Sequence, residues 1–280
     1  GGKFPISTHL AERVRAMLSD LKSWGDLPPQ VAQWLTMQQE FSALPNKDTL
    51  LVESFSRGAR YYMAAYPFEG RLAHQTLGML LTRRMERMGA RPMGFVANDY
   101  GLAVWGLRDI GLMVEQKKLT LEVLFAQDML GDDLEAWLDE SALMKRTFRD
   151  CAMISGLIEK NMPGHEKTGR QVTFSADLIF DVLRSHEPDH ILLQAARADA
   201  ATGLLDIGRL GDMLARIDGK LMLKRLSHIS PLAVPLLMEM GKEPVRGSAD
   251  DELLSEAATR HDDLVREATQ GLEAGRVEAL

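Results

Sequence analysis

Among the 280 residues, the string His186-Glu187-Pro188-Asp189-His190 comes nearest to spelling a reaction. It satisfies H-E-x-x-H, the spacing that puts two imidazoles on one helix face to hold zinc, with the glutamate beside the metal-bound water as general base. That chemistry needs an unbroken helix. Pro188 removes a backbone donor and clashes with the preceding turn, so the string predicts a corner between two helices, capped by Glu187 or Asp189, in place of a metal site. No G-x-x-x-x-G-K-[ST] loop, G-x-G-x-x-G turn or G-x-S-x-G elbow occurs, and the histidines and acids lack any spacing that implies a triad. The single cysteine, Cys151, rules out an internal disulfide and falls in an apolar helical pattern, where a thiol is inert. An enzyme acting alone is not expected.

Three local groups of cations suit a different chemistry, the binding of phosphate oxygens without covalent change. Arg83, Arg84 and Arg87 crowd the last two turns of one helical pattern. Lys145, Arg146 and Arg149 lie largely off the apolar face of another, and Lys167 and Arg170 sit in a polar, glycine-bearing loop before a helix start. Each group also has a plainer use: pairing with a helix dipole, solvating a face, or making a surface turn. The net charge is −7, but from Glu243 onward ten acids face four arginines, a net −6, so the rest of the chain is near neutral. Such a balance permits nucleic-acid contact without announcing it.

The elements that must position these groups centre on residues 59–93. Thr49–Phe55 and Arg60–Tyr66 are strand-like runs joined at Ser56, Arg57 and Gly58, which predicts a hairpin. Gly70 opens and Gly89 with Pro92 closes a long helix, Arg71–Met88, apolar round most of its circumference except a strip at Arg71, Gln75, Gly78, Thr82 and Glu86. Before it come a helix capped by Ser7 or Thr8 and one opened by Pro28 and Pro29. After it, Met93–Leu107 gives two strands broken at Asn98 and Asp99, and Thr120–Phe125, Asp132–Leu138 and Leu143–Glu159 give three helices. Trp105 fits packing in its strand better than stacking on a base. A loop, Asn161–Gln171, leads to a helix capped by Ser175 with Phe174 and Ile179 as a hydrophobic staple, then helices from Asp189 and Asp206 and a strand from Lys220.

The expected class is α+β, predominantly helical, with an antiparallel hairpin or sheet on a long central helix. The expected domains are 1–245 and an acidic C-terminal helix and tail, 246–280, with Ser248 as its cap. No apolar run is long enough to span a bilayer and no signal peptide is visible, so the cytoplasm is the expected compartment. The start at Gly1, Gly2 and Lys3, without methionine, suggests an excised fragment or a tag scar.

Five strings carry a family resemblance: AYPFEGRLAHQTLGMLLTRR (65–84), LGDDLEAWL with LMKRTFRDCA (130–138 and 143–152), EKTGRQVTFSADLIFDVLR (166–184) and HEPDHILL (186–193). They resemble the C-terminal, DEAD/H-associated domain of Lhr-type helicases, most closely the ligase-associated DExH-box DNA helicases, over about residues 4–241. The resemblance implies a module of an ATP-dependent 3′-to-5′ DNA-repair helicase. ATP and magnesium belong to RecA-like motor domains whose motifs this chain lacks, so no cofactor is expected here. The implied partners are single-stranded DNA or an RNA:DNA hybrid, the winged-helix and RecA-like domains of the same polypeptide, and DNA-repair proteins. A protein-interaction scaffold with little nucleic-acid contact is the alternative.

Overall fold

A computed structural model describes residues 6–140, 142–158, 161–162, 165–166, 169–200 and 206–240, the side chains of 139, 140, 142, 161, 162, 165, 166, 169 and 170 excepted. The expectations for Gly1–Lys3, Lys167 and the segment from residue 246 lie outside these residues. Internal contacts divide the chain into two compact units, residues 1–127 with 209–280, and residues 128–208.

In chain order the elements are α1 (Thr8–Ser19), α2 (Pro29–Phe41), β1 (Leu50–Arg57), β2 (Arg60–Ala65), α3 (Arg71–Arg87), β3 (Pro92–Ala97), β4 (Leu102–Gly106), α4 (Ile110–Glu115) and α5 (Leu121–Leu124). Then come α6 (Asp132–Glu140), α7 (Ala142–Ile154), β5 (Asn161–Met162), β6 (His165–Glu166), α8 (Gly169–His186), α9 (Ile191–Asp199), α10 (Ile207–Ile217), β7 (Leu221–Arg225) and α11 (Ala233–Glu239). The class is α+β. Ser7 caps α1, its Oγ accepting from the Leu10 N–H at 3.2 Å, and Pro29 opens α2 where a missing donor costs nothing.

The first unit is built on one five-stranded mixed sheet, ordered β3-β4-β2-β1-β7, with β7 parallel to β1 and every other pair antiparallel. The hairpin ladder continues to Arg57 opposite Arg60, so the turn is Gly58-Ala59, with Gly58 at φ 57°. Alternation along the strands sends Leu51, Phe55, Tyr62 and Ala64 to one face, against Leu18 of α1, Leu35 of α2 and Leu236 of α11. The other face is covered by α3 over β3 and β4, and by α4 over β1, β2 and β7. Prolines at 231 and 235 do not prevent α11, because one precedes it and the other lies in its first turn, where backbone donors have no partner within the helix.

α3 is buried as its pattern predicts, with Leu77, Leu80, Leu81 and Met85 fully enclosed. It ends on Gly89 at φ 75°, and the Ala90 N–H reaches back to the Met85 carbonyl at 2.8 Å. One position departs from the expected polar strip, and a histidine outside that strip is enclosed as well. Gly78 is buried against β3, where an added Cβ would stand 2.3 Å from Phe95 Cδ2. His74, also buried, accepts from the Glu69 N–H at Nε2 (3.0 Å) and lies 2.6 Å from the Asn98 carbonyl at Nδ1, so the hydrogen is on Nδ1. Burial pushes its pKa down to about 4.

The second unit packs α7 against α8 and α9, with Phe148 and Phe180 edge to face at 5.4 Å. α8 starts at Gly169, about two turns earlier than a cap at Ser175 predicts, so Phe174 and Ser175 lie inside the helix and not at its cap. The buried period of Val172, Ala176 and Phe180 explains this, since it extends the packed face back toward Gly169. At the 186–190 string the chain does turn between two helices, but the cap is His190, whose Nδ1 accepts from the Leu192 N–H at 3.2 Å. Neither Glu187 nor Asp189 caps α9.

Two outcomes follow for stability. Gly78→Ala gains about 1 kcal/mol of helix propensity but overpacks the α3–β3 contact at about 1–3 kcal/mol, so chemical denaturation will show a net loss. For His74, the unfolded imidazole takes up its proton near 6.5 and the folded one near 4. The unfolded state therefore binds more protons between those values, and the stability from a neutral His74 is full above pH 6.5 and lost, by about 3 kcal/mol, as pH falls toward 4. Urea unfolding of wild type and His74→Gln across that window will show their difference shrinking toward the acid end.

Candidate nucleic-acid interface

The three cation groups singled out from sequence meet three different environments. On α3, Arg84 is only 7% exposed and its Nη1 donates to the Val123 carbonyl, so it joins α3 to α5 inside the first unit. Arg83 is half-buried and Arg87 is exposed in the last turn, beside the negative end of the helix dipole.

On α7, in the second unit, Lys145 Nζ lies 2.9 Å from Asp181 Oδ2 and 5.9 Å from the Phe180 ring centre, and Arg149 Nη2 lies 3.1 Å from Asp177 Oδ1. Both cations are thus tied across to α8. Arg146 alone of that group points into solvent. Arg170 falls in the first turn of α8, and Lys167 lies outside the described residues. The α3 group and the α7 group belong to separate units, so no single unit gathers all eight residues.

A fourth concentration of cations lies inside the first unit. Glu69, 4% exposed, receives Arg15 Nη1 at 2.6 Å and Arg216 Nη2 at 3.0 Å on Oε1, and Arg209 Nε at 3.1 Å on Oε2. The same guanidiniums donate to the carbonyls of Phe68, Lys47 and Ile6 at 3.1, 2.9 and 2.6 Å. Burial pushes the Arg15 guanidinium below its usual range, Glu69 opposing the shift and Arg216 and Arg209 adding to it. These cations hold the fold and offer little to a ligand.

A second buried carboxylate, Glu53, meets no cation among the described residues. It accepts from Gln38 Nε2 at 2.8 Å, from the Tyr66 hydroxyl at 2.6 Å and from Ser230 Oγ. Burial first, then the adjoining Glu53 charge, pushes the Tyr66 phenol well above its usual range, so it remains a donor. Nothing here resembles a catalytic constellation. Among the described residues no group of three or more His, Cys, Asp or Glu side chains is placed to hold a metal, and His186 and His190 lie on opposite sides of the break between α8 and α9. Cys151 is half-buried, with burial pushing its thiol up.

The sequence spacing does not single out Arg60, Arg91 and Arg108, which the fold leaves exposed at strand termini. Their common signal is position, each within two residues of a strand end, and only the strand order turns it into proximity.

Comparison with known proteins places this fold. The family described as DEAD/H associated matches residues 44–233, across both units. The ATP-dependent helicase Lhr-Core of Methanocaldococcus jannaschii is 21% identical over 77% of this chain, and the ATP-dependent helicase Lhr-Core protein 2 of Thermococcus barophilus is 25% identical over 61%. The chain spans only 25% and 19% of the lengths of those relatives. A solved structure, Mycobacterium smegmatis helicase Lhr bound to ssDNA and AMP-PNP, shares the fold with a TM-score of 0.64 and 20% identity, covering 85% of this chain and 32% of its own.

The different environments of the arginines have a measurable consequence. Arg84→Gln removes a buried donor from the Val123 carbonyl and will lower stability by about 1–3 kcal/mol, whereas Arg146→Gln on the solvated face of α7 will stay within about 0.5 kcal/mol of wild type in urea unfolding.

Proposed function

The chain belongs to the DEAD/H associated family, a helicase-associated domain of the Lhr type, and from that premise we propose that it serves an ATP-dependent 3′-to-5′ DNA-repair helicase as an accessory domain without a motor. In this role it guides a single strand, of DNA or of an RNA:DNA hybrid, and braces winged-helix and RecA-like domains of a longer polypeptide. The observation that supports the reading is the shared fold with a helicase whose structure holds single-stranded DNA. Backbone cations position such a strand without reading its sequence.

A second role, docking to protein, is favoured by one feature of the second unit. Phe174, Leu178 and Val182 recur every fourth residue along α8 and are 73%, 56% and 50% exposed. The acids beside them, Asp177 and Asp181, are already paired with Arg149 and Lys145, leaving an apolar stripe with a neutral border. That surface suits another domain better than a phosphate backbone.

A salt titration separates the roles. Binding of a labelled oligothymidylate will weaken linearly in log–log form, by about 0.7 for each phosphate contacted. A scaffold with little nucleic-acid contact will show no salt-dependent binding, even at low ionic strength.

A further inference from the structure

We propose that one end of the five-stranded sheet is a phosphate-backbone site for single-stranded nucleic acid, formed by Arg60, Arg91 and Arg108 from three separate turns. The strand order creates the site. Arg57 pairs with Arg60 across the β1–β2 turn, the next residue, Tyr61, pairs with Gly106, and Gly106 pairs with Pro92. Arg60 precedes that row on β2, Arg91 precedes it on β3, and Arg108 follows it from β4, so all three leave the sheet at the same end. With strands about 4.8 Å apart, the row from β3 to β1 is about 14 Å wide.

The turns are fixed to each other. The Leu107 N–H donates to the Arg91 carbonyl at 3.2 Å, and a Cβ on Gly106 would stand 2.7 Å from that same oxygen, so only glycine lets the α3–β3 turn close on the end of β4. Arg60, Arg91 and Arg108 are all exposed, and among the described residues none of them takes part in an ion pair. The acid next to Arg108 is committed elsewhere. Asp109 caps α4 through the Leu112 N–H at 2.9 Å and receives Arg225 Nη2 at 3.1 Å. Arg57 and Arg87 lie at the same end, and Met93 and Leu107, 52% and 54% exposed, lie between the cations as apolar surface for bases.

The backbone at Arg91 is the independent sign. It has φ 51°, the left-handed region that a long side chain occupies at a cost and that Gly or Asn would fill more easily. A turn keeping arginine there keeps the guanidinium at the expense of the backbone. This strained cation beside two unpaired ones is the arrangement that delocalised, repeating phosphates reward, since each contact releases counterions and none needs a particular base.

The inference rests on the single-strand role, and one experiment tells their failures apart. The intact protein is photo-cross-linked to an oligothymidylate carrying 5-iodouracil, and the modified peptides are identified. Cross-links in residues 57–62, 88–94 or 105–109 support the site. Cross-links elsewhere in this chain overturn the site and keep the single-strand role. Cross-links confined to other parts of the polypeptide overturn both.

In parallel, the charge-deleted protein Arg60→Gln, Arg91→Gly and Arg108→Gln will bind the same strand at least about tenfold more weakly, with a salt slope shallower by about 2. Arg91→Gly alone will weaken binding without lowering the melting temperature, because it relieves the backbone while removing the charge. Unchanged affinity and slope in the triple variant would overturn the site.

Discussion

Glu69 gathers three guanidiniums that the sequence scatters over more than 200 residues. Arg15 comes from the first helix, 54 residues away, and Arg209 and Arg216 come from α10, 140 and 147 residues away. One carboxylate thus ties the chain's beginning, its central β2–α3 connection and its return into the first unit after residue 208. Arg15 and Glu69 have side chains 6% and 5% exposed, so removing either leaves the other buried and uncompensated, a loss of about 3–5 kcal/mol. Glu69 also presents its N–H to His74, so the same residue sets the tautomer of the buried imidazole at the start of α3. α1, α10 and the start of α3 are thereby fixed to one another at this node.

The arginines fall into two populations. Those satisfied by carboxylates or carbonyls, Arg15, Arg84, Arg149, Arg209 and Arg216, spend their charge on the fold. Those left in water by the topology are the ones available to a phosphate backbone. On the proposed reading, a chain of net charge −7 meets an anionic strand through these arginines, because availability and not net charge decides the contact. The same logic sets the second unit apart. Two of its cations, Lys145 and Arg149, are paired from α7 to α8, and an apolar stripe of α8 is exposed beside them.

Much of this fold is legible in the sequence, for local reasons. The hairpin, α3 with its glycine stop, the strands around Asn98 and Asp99 and the helical corner at Pro188 all follow from turn chemistry and apolar period. What was not legible depends on partners distant in sequence. Gly78 reads as part of a polar strip until Phe95 is seen against it. Arg84 reads as dipole pairing until Val123 supplies its carbonyl. The parallel pairing of β7 with β1 cannot be read from either strand alone. Arg60, Arg91 and Arg108 belong to three unremarkable turns, and no spacing rule connects them. Family resemblance located the domain and its class, and it carried no assignment of individual contacts.

The central claim is that the fold consumes most buried cations and leaves the working ones at one end of the sheet. Hydrogen–deuterium exchange of the intact protein, with and without a saturating oligothymidylate, tests it most directly. The account predicts that slowing on binding, within this chain, is concentrated in the turns at 57–60, 89–92 and 106–109, while α7 and α8 exchange as before. Slowing along α7 and α8 with those turns unchanged would contradict it.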